Sequence, residues 1–127
     1  MKNNFFSLPV ANINSKPTLN SEVTSQILYG EKFKILSKKG SWVKIKTNFD
    51  NYIGYIKKVK YYKKFKPTSK VYKLKSRIFI KKDRRYLATN NFLYFATGIS
   101  IKNQDKSYIE FEKNKWIKKN DIKKIFH

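Results

Sequence analysis

Trp42-Val43-Lys44-Ile45-Lys46-Thr47, then Asn48-Phe49-Asp50-Asn51, then Tyr52-Ile53-Gly54-Tyr55-Ile56 reads as strand, turn, strand. Val43 and Ile45 alternate with Lys44 and Lys46, the period of a strand with one buried face. Asn and Asp supply the turn between, because their short side chains bond the local backbone. Working outward, Phe33-Lys34-Ile35-Leu36, Val71-Tyr72-Lys73-Leu74, Ile78-Phe79-Ile80 and Ile99-Ser100-Ile101 carry the same β-branched and aromatic character. Turn signals punctuate them at Asn14-Ser15-Lys16-Pro17, Tyr29-Gly30-Glu31, Lys38-Lys39-Gly40-Ser41 and Thr89-Asn90-Asn91. No segment presents a ten-residue helical stripe with caps. The chain is expected to be all-β, built as small barrels from many short strands.

Its order repeats once. Ile27-Leu28-Tyr29-Gly30, a strand and then Trp42-Val43-Lys44 is echoed by Leu93 to Gly98, a strand and then Trp116-Ile117-Lys118. Between the two halves runs a Lys-rich stretch from Lys57 to Lys66, closed by Pro67. The expected organisation is a first domain at 1–58, a basic linker at 59–69 and a second, divergent domain at 70–127. Gly30, Gly54 and Gly98 are expected at turns or bulges with positive φ.

Composition removes most chemistry. The 127 residues include no Cys and one His, at position 127. Disulfides, thiolate metal sites, a cysteine nucleophile and a histidine-based triad are therefore excluded, and neither a metal nor a cofactor is expected. Lys and Arg number 30 against 8 Asp and Glu, a formal charge of +22. Only three of the 30 are Arg (Arg77, Arg84 and Arg85), and Lys, Asn, Ile, Phe and Tyr supply 72 of the 127 residues. That bias fits a genome-wide preference for AT-rich codons. Proteins selected to read phosphates or bases favour the bidentate Arg fork instead. The charge by itself predicts weak, salt-sensitive association with nucleic acids. The start, broken at Pro9, lacks a secretory core, and no stretch has the length of a membrane span, so a cytoplasmic chain without a membrane partner is expected.

Four ordered motifs carry a resemblance. Val10 to Pro17, Ser21-Glu22-Val23 through Gly30-Glu31, Gly40-Ser41-Trp42-Val43-Lys44-Ile45, and Asn51-Tyr52-Ile53-Gly54-Tyr55-Ile56 together resemble a bacterial SH3 (SH3b) domain. More narrowly, they resemble the first SH3b domain of NlpC/p60-family γ-D-glutamyl-L-diamino-acid endopeptidases, cysteine peptidases that cut peptidoglycan stem peptides. The likeness covers residues 8 to about 58. Lys70-Val71-Tyr72, Leu93 to Gly98 and Trp116-Ile117 ahead of Asp121-Ile122 resemble the following SH3-like domain more loosely. The resemblance implies two SH3-like barrels in tandem. It also implies a C-terminal NlpC/p60 catalytic domain as partner, in cis or in trans, since the cysteine domain that follows in the family has no counterpart in this sequence.

In that family the first SH3b domain walls the substrate cleft and helps recognise the free amine of the stem peptide's N-terminal L-Ala. The resemblance implies Glu22 and Tyr52 for this task; a carboxylate and a phenol suit an ammonium that needs a charged acceptor and a second oxygen to fix its direction. The residues themselves also allow Glu22 to be a solvated loop charge and Tyr52 to be half core. Trp42, Tyr55 and Trp116 are groove aromatics or packing anchors on the same reading. The leading functional expectation is a non-catalytic region that targets or gates stem peptide for a cell-wall peptidase. The alternative is a basic SH3-like nucleic-acid-binding protein.

Overall fold

The computed structural model describes residues 2–57 and 60–125. Its contacts divide the chain into two units, Met1–Phe65 and Lys66–His127. The first contains β1 (Asn4–Phe6), β2 (Val10–Asn14), β3 (Val23–Leu28), β4 (Lys32–Lys39), β5 (Trp42–Thr47), β6 (Ile53–Lys57) and β7 (Tyr61–Tyr62). They form one antiparallel sheet in the order β3-β2-β6-β5-β4-β1-β7. Among the described residues β3 and β7 stand at the two ends of that order. The second unit contains β8 (Ser69–Val71), β9 (Lys75–Lys82), β10 (Arg85–Tyr94), β11 (Gly98–Ile99), β12 (Asn103–Gln104), β13 (Tyr108–Glu112), β14 (Lys115–Lys118) and β15 (Ile122–Lys124). These make a five-stranded sheet, β10-β9-β14-β13-β12, and a three-stranded one, β11-β8-β15. A single 3-10 turn, Lys119–Asp121, is the helical content among the described residues. The all-β architecture is as the strand periodicity requires.

The alternation within β5 and β6 sets the first core. Val43, Ile45 and Ile56 face inward with Phe6, Ile13, Ile27 and Phe33, while Lys44 and Lys46 face out. Burying each large aliphatic or aromatic side chain contributes roughly 1.5–3 kcal/mol. β6 crosses β2 so closely at Gly54 that a Cβ there would lie 2.4 Å from Ile13 Cγ2 and 3.1 Å from the Asn14 carbonyl oxygen. Gly54 therefore serves close packing between strands, not a positive φ as expected; Gly98, against Pro67, is likewise outside the positive-φ set, which holds Gly30 and Gly40. In the second unit Val71, Ile78, Leu93, Ile99, Ile109, Phe111 and Ile117 are buried.

Several local expectations differ from the structure: β8 ends at Val71, so Tyr72-Lys73-Leu74 lie between β8 and β9, and β11 ends at Ile99, before Ser100-Ile101. Thr89-Asn90-Asn91 is not a turn: β10 runs through it with a bulge between Ala88 and Phe92. The hairpin turns instead at Asp83 and Arg84, with φ of 50° and 66°, the left-handed pair that matches strand twist. In the stretch 59–69, Tyr61–Tyr62 pairs with β1 and Ser69 opens β8. The ring of Tyr61 packs on Phe33, and those of Tyr62 and Phe65 pack on Tyr29. The boundary expected between residues 58 and 59 lies outside the described residues, as does His127.

Candidate binding site

The site begins at the end of β2. Asn14 is buried, 5% exposed, and its Nδ2 donates to the carbonyls of Ser21 at 3.2 Å and Thr18 at 3.5 Å. Ser21 Oγ lies 2.7 Å from the Thr18 carbonyl and 2.9 Å from that of Lys16, and it accepts from the Lys16 amide at 3.3 Å. Ser15 N–H donates to the Glu22 carbonyl at 2.8 Å and closes the base. The eight residues from Ser15 to Glu22 are thus a loop tied by its own amide and hydroxyl groups. Asn and Ser favour such local bonds wherever no ladder competes for the backbone.

The loop borders a groove of about 240 Å³ lined by Ala11, Asn12, Asn14, Leu19, Val23, Trp42 and Lys57. Leu19 is 72% and Val23 49% exposed, so this hollow offers apolar surface to solvent beside two amides and one ammonium. Register explains its floor. Trp42 lies opposite Lys57, and Lys44 opposite Tyr55. Residues two apart share a face, so Trp42, Lys57, Tyr55 and Lys44 all belong to the outward face of the sheet. Lys57 Nζ stands 5.8 Å from the Trp42 ring centroid, and Trp42 is 8% exposed.

The five residues singled out from sequence fall in different places. Glu22 is exposed at the loop's last position, immediately before Val23. Tyr52 is half-buried with its ring against the core cluster. Its amide donates to Thr47 Oγ1 at 3.0 Å, and its carbonyl accepts from the Thr47 amide at 2.9 Å. Asn14 pairs with Val23 on one side and Tyr55 on the other. Glu22 and Tyr52, which precede those two partners in sequence, accordingly share one end of the sheet. Tyr52, Tyr55 and Glu22 do not line the groove; Trp42 does. Trp116 belongs to the second unit, 7% exposed, with its Nε1 donating to Asn114 Oδ1 at 3.2 Å and Lys81 Nζ 5.2 Å from its ring. Each Trp thus packs under a lysine. Sequence reading missed Leu19, Lys57 and the holding role of Asn14, although Asn14 had been noted as a turn residue.

In the first unit the Glu31 carboxyl, beyond the end of β3 away from the loop, is perturbed. Burial pushes the Glu31 carboxyl above its ordinary range, against a lowering bond from the Leu28 amide at 3.0 Å, and Asp50 raises it further. Among the described residues, no group of His, Cys, Asp and Glu is arranged to hold a metal, and no helix is long and apolar enough to cross a membrane.

An antiparallel sheet with a self-tied loop between β2 and β3 and a Trp-floored groove beside it make up the first unit. Residues 14–59 match the family described as the bacterial dipeptidyl-peptidase Sh3 domain. The whole fold is similar to the crystal structure of an NlpC/P60 family protein from Bacillus cereus. The TM-score is 0.69 at 16% identity, covering 97% of this chain and 57% of that one. The likeness is one of fold, and the chain spans little more than half of that relative's length. No curated protein matches the chain.

Proposed function

We propose that the chain is the non-catalytic SH3b region of a cell-wall peptide peptidase, and that its first unit gates the substrate. The match over residues 14–59 carries this reading. That segment includes the tied loop with Glu22, Trp42 of the groove, and Tyr52. The chain has no Cys, so hydrolysis belongs to an NlpC/p60 catalytic domain acting beside it. Glu22 is one of only eight acidic residues in the chain, and it stands exposed on a loop whose backbone is already fixed. A carboxylate so presented can accept the free amine of a stem peptide at little cost in loop ordering. Tyr52, at the same end of the sheet, supplies the second oxygen of the proposed amine site.

The test supplies the missing chemistry. An NlpC/p60 catalytic domain is titrated with this chain while hydrolysis of L-Ala-γ-D-Glu-diamino-acid peptides is followed. A saturable rise in kcat/KM for free-amine peptides is expected. No change at any concentration of the chain contradicts the reading.

A further inference from the structure

The second unit carries an apolar tip built from two connections. Residues 72–74 join β8 to β9, and residues 95–97 join β10 to β11. Tyr72 is 57%, Leu74 86% and Phe95 53% exposed. They make one patch: the Tyr72 and Phe95 ring centroids lie 6.2 Å apart, and the Phe95 amide donates to the Leu74 carbonyl at 3.0 Å. Contiguous apolar surface left in water marks a binding face.

The backbone beneath the tip is tied inward. Besides Phe95, the Tyr72 amide donates to the Asp121 carbonyl at 2.7 Å, Ala96 to Val71 at 2.9 Å and Thr97 to Tyr94 at 3.0 Å. Ala96, at φ 69°, makes the bend that presents Phe95. Lysines surround the patch. Lys73 and Lys75 flank Leu74 in sequence, and Lys123 Nζ stands 3.7 Å from the Tyr72 ring centroid. Lys123 also lies opposite Lys70 in the β8–β15 register, a like-charge pair that an anion would relieve. Such side chains lay their stems along apolar surface while the ammonium reaches a polar layer.

We propose that this tip docks on the surface of an anionic lipid bilayer. Charge opposes a second copy as occupant, since tip on tip would set lysine against lysine in chains that each carry +22. The backbone bonds separate a bilayer from an acidic protein. A protein interface draws on direct hydrogen bonds, whereas hydrocarbon demands backbone groups satisfied from within, as these four amides are. Tyr72 and Phe95 suit the boundary between headgroups and acyl chains, Leu74 the acyl side, and the lysines the anionic headgroups. The expectation of no membrane partner rested on the lack of a spanning stretch, and surface docking needs none. The inference uses no residue of the first unit, so it stands or falls apart from the amine-gating proposal.

The full chain is sedimented with vesicles of phosphatidylcholine, with or without phosphatidylglycerol, at about 150 mM salt. The anionic vesicles are expected to bind it at least tenfold more tightly than the neutral ones. Leu74→Ser with Phe95→Ser, both at exposed positions, should weaken that binding at least tenfold, whereas Phe49→Ser, at a site 95% exposed in the first unit, should not change it. Lys75→Gln with Lys123→Gln should weaken it more than Lys34→Gln with Lys46→Gln, which removes the same charge from the first unit. Because the chain has no Cys, a polarity-sensitive dye on Leu74→Cys reports insertion independently of the serine variant. Its emission should shift to shorter wavelength on anionic vesicles and be quenched by brominated acyl chains; the same dye on Phe49→Cys should do neither. Equal binding to both vesicles, full binding by the serine double variant, equal effects of the two lysine double variants, or an unquenched dye at position 74 would each overturn the inference. So would a self-dimer, or a complex with an NlpC/p60 catalytic domain, that the serine double variant abolishes while its vesicle binding persists.

Discussion

Asn14 Nδ2 donates to the Ser21 carbonyl across 3.2 Å, and this one amide joins the end of β2 to the residue before Glu22. Asn14→Ala removes both amide bonds and leaves two loop carbonyls without that donor, a loss of about 1–3 kcal/mol. Amide exchange is expected to accelerate first at Ser15 and Ser21, ahead of the β5–β6 core. Unchanged protection at those two amides would show that the loop is held by something else.

Gly54→Ala forces a methyl group to within 2.4 Å of Ile13 Cγ2, a branched side chain in the packed core. Overpacking of this kind costs about 1–3 kcal/mol, and a melting temperature lower by about 5 °C or more is expected for a domain of this size. A variant melting with the wild type would mean that β2 and β6 separate freely at this crossing.

Acid carboxyls in the two units should respond to pH in opposite senses. Burial raises Glu31 in the fold, so the folded state holds its proton more tightly. That contribution is full below the ordinary glutamate value of about 4.3 and is lost as pH rises through the folded value. Asp105 is lowered, chiefly by the Ser107 and Tyr108 amides, and Glu110 is lowered, chiefly by the Asn103 side chain. Their contributions are present above the ordinary values and lost as pH falls through the folded ones. In urea titrations across pH, Glu31→Gln should flatten the decline on the neutral side, and Asp105→Asn with Glu110→Gln should flatten the decline on the acid side. Parallel curves for all variants would contradict these environments.

Random DNA or RNA should bind weakly, without sequence preference, and release steeply between about 50 and 200 mM salt, as counterion release dictates. Arg77, Tyr62 and Phe65, three side chains suited to readout, are engaged within the fold. Arg77 Nη1 donates to the Thr89 carbonyl at 2.7 Å and its guanidinium lies 4.5 Å from the Phe92 ring. The Tyr62 and Phe65 rings stack on one another, 5.5 Å apart. Tight, sequence-selective binding of an RNA at physiological salt would favour the nucleic-acid alternative.

These packed aromatics mark where sequence reading stops. The β5–β6 pair was legible because its alternation reports which face is buried, and that one pair fixes the class. The aromatics between Lys57 and Lys66 were not, because six lysines in ten residues mask a two-residue strand whose partner, β1, is more than fifty residues away. Asn90-Asn91 carries turn chemistry that the long β9–β10 ladder overrides with a bulge, while Asp83-Arg84 makes the real turn without a glycine. At the site, Glu22 and Trp42 stand out by type, but Leu19 and Lys57 join the groove through the loop's fold and cross-strand register, which no local pattern encodes. Gly54 was noticed for its flexibility and is needed for its missing methyl group.

The central claim is that Glu22 reads the free amine of a stem peptide. It is tested most directly with an NlpC/p60 catalytic domain joined after the chain, by a double cycle of Glu22→Gln against acetylation of the peptide's N-terminal L-Ala. Glu22→Gln keeps the shape and removes the charge. The expected result is a loss of about 2 kcal/mol, about thirtyfold in kcat/KM, for free-amine peptides. Acetylated peptides should be poor substrates already and lose little more. If the substitution slows both peptides equally, Glu22 does not contact the amine and the gating account is wrong.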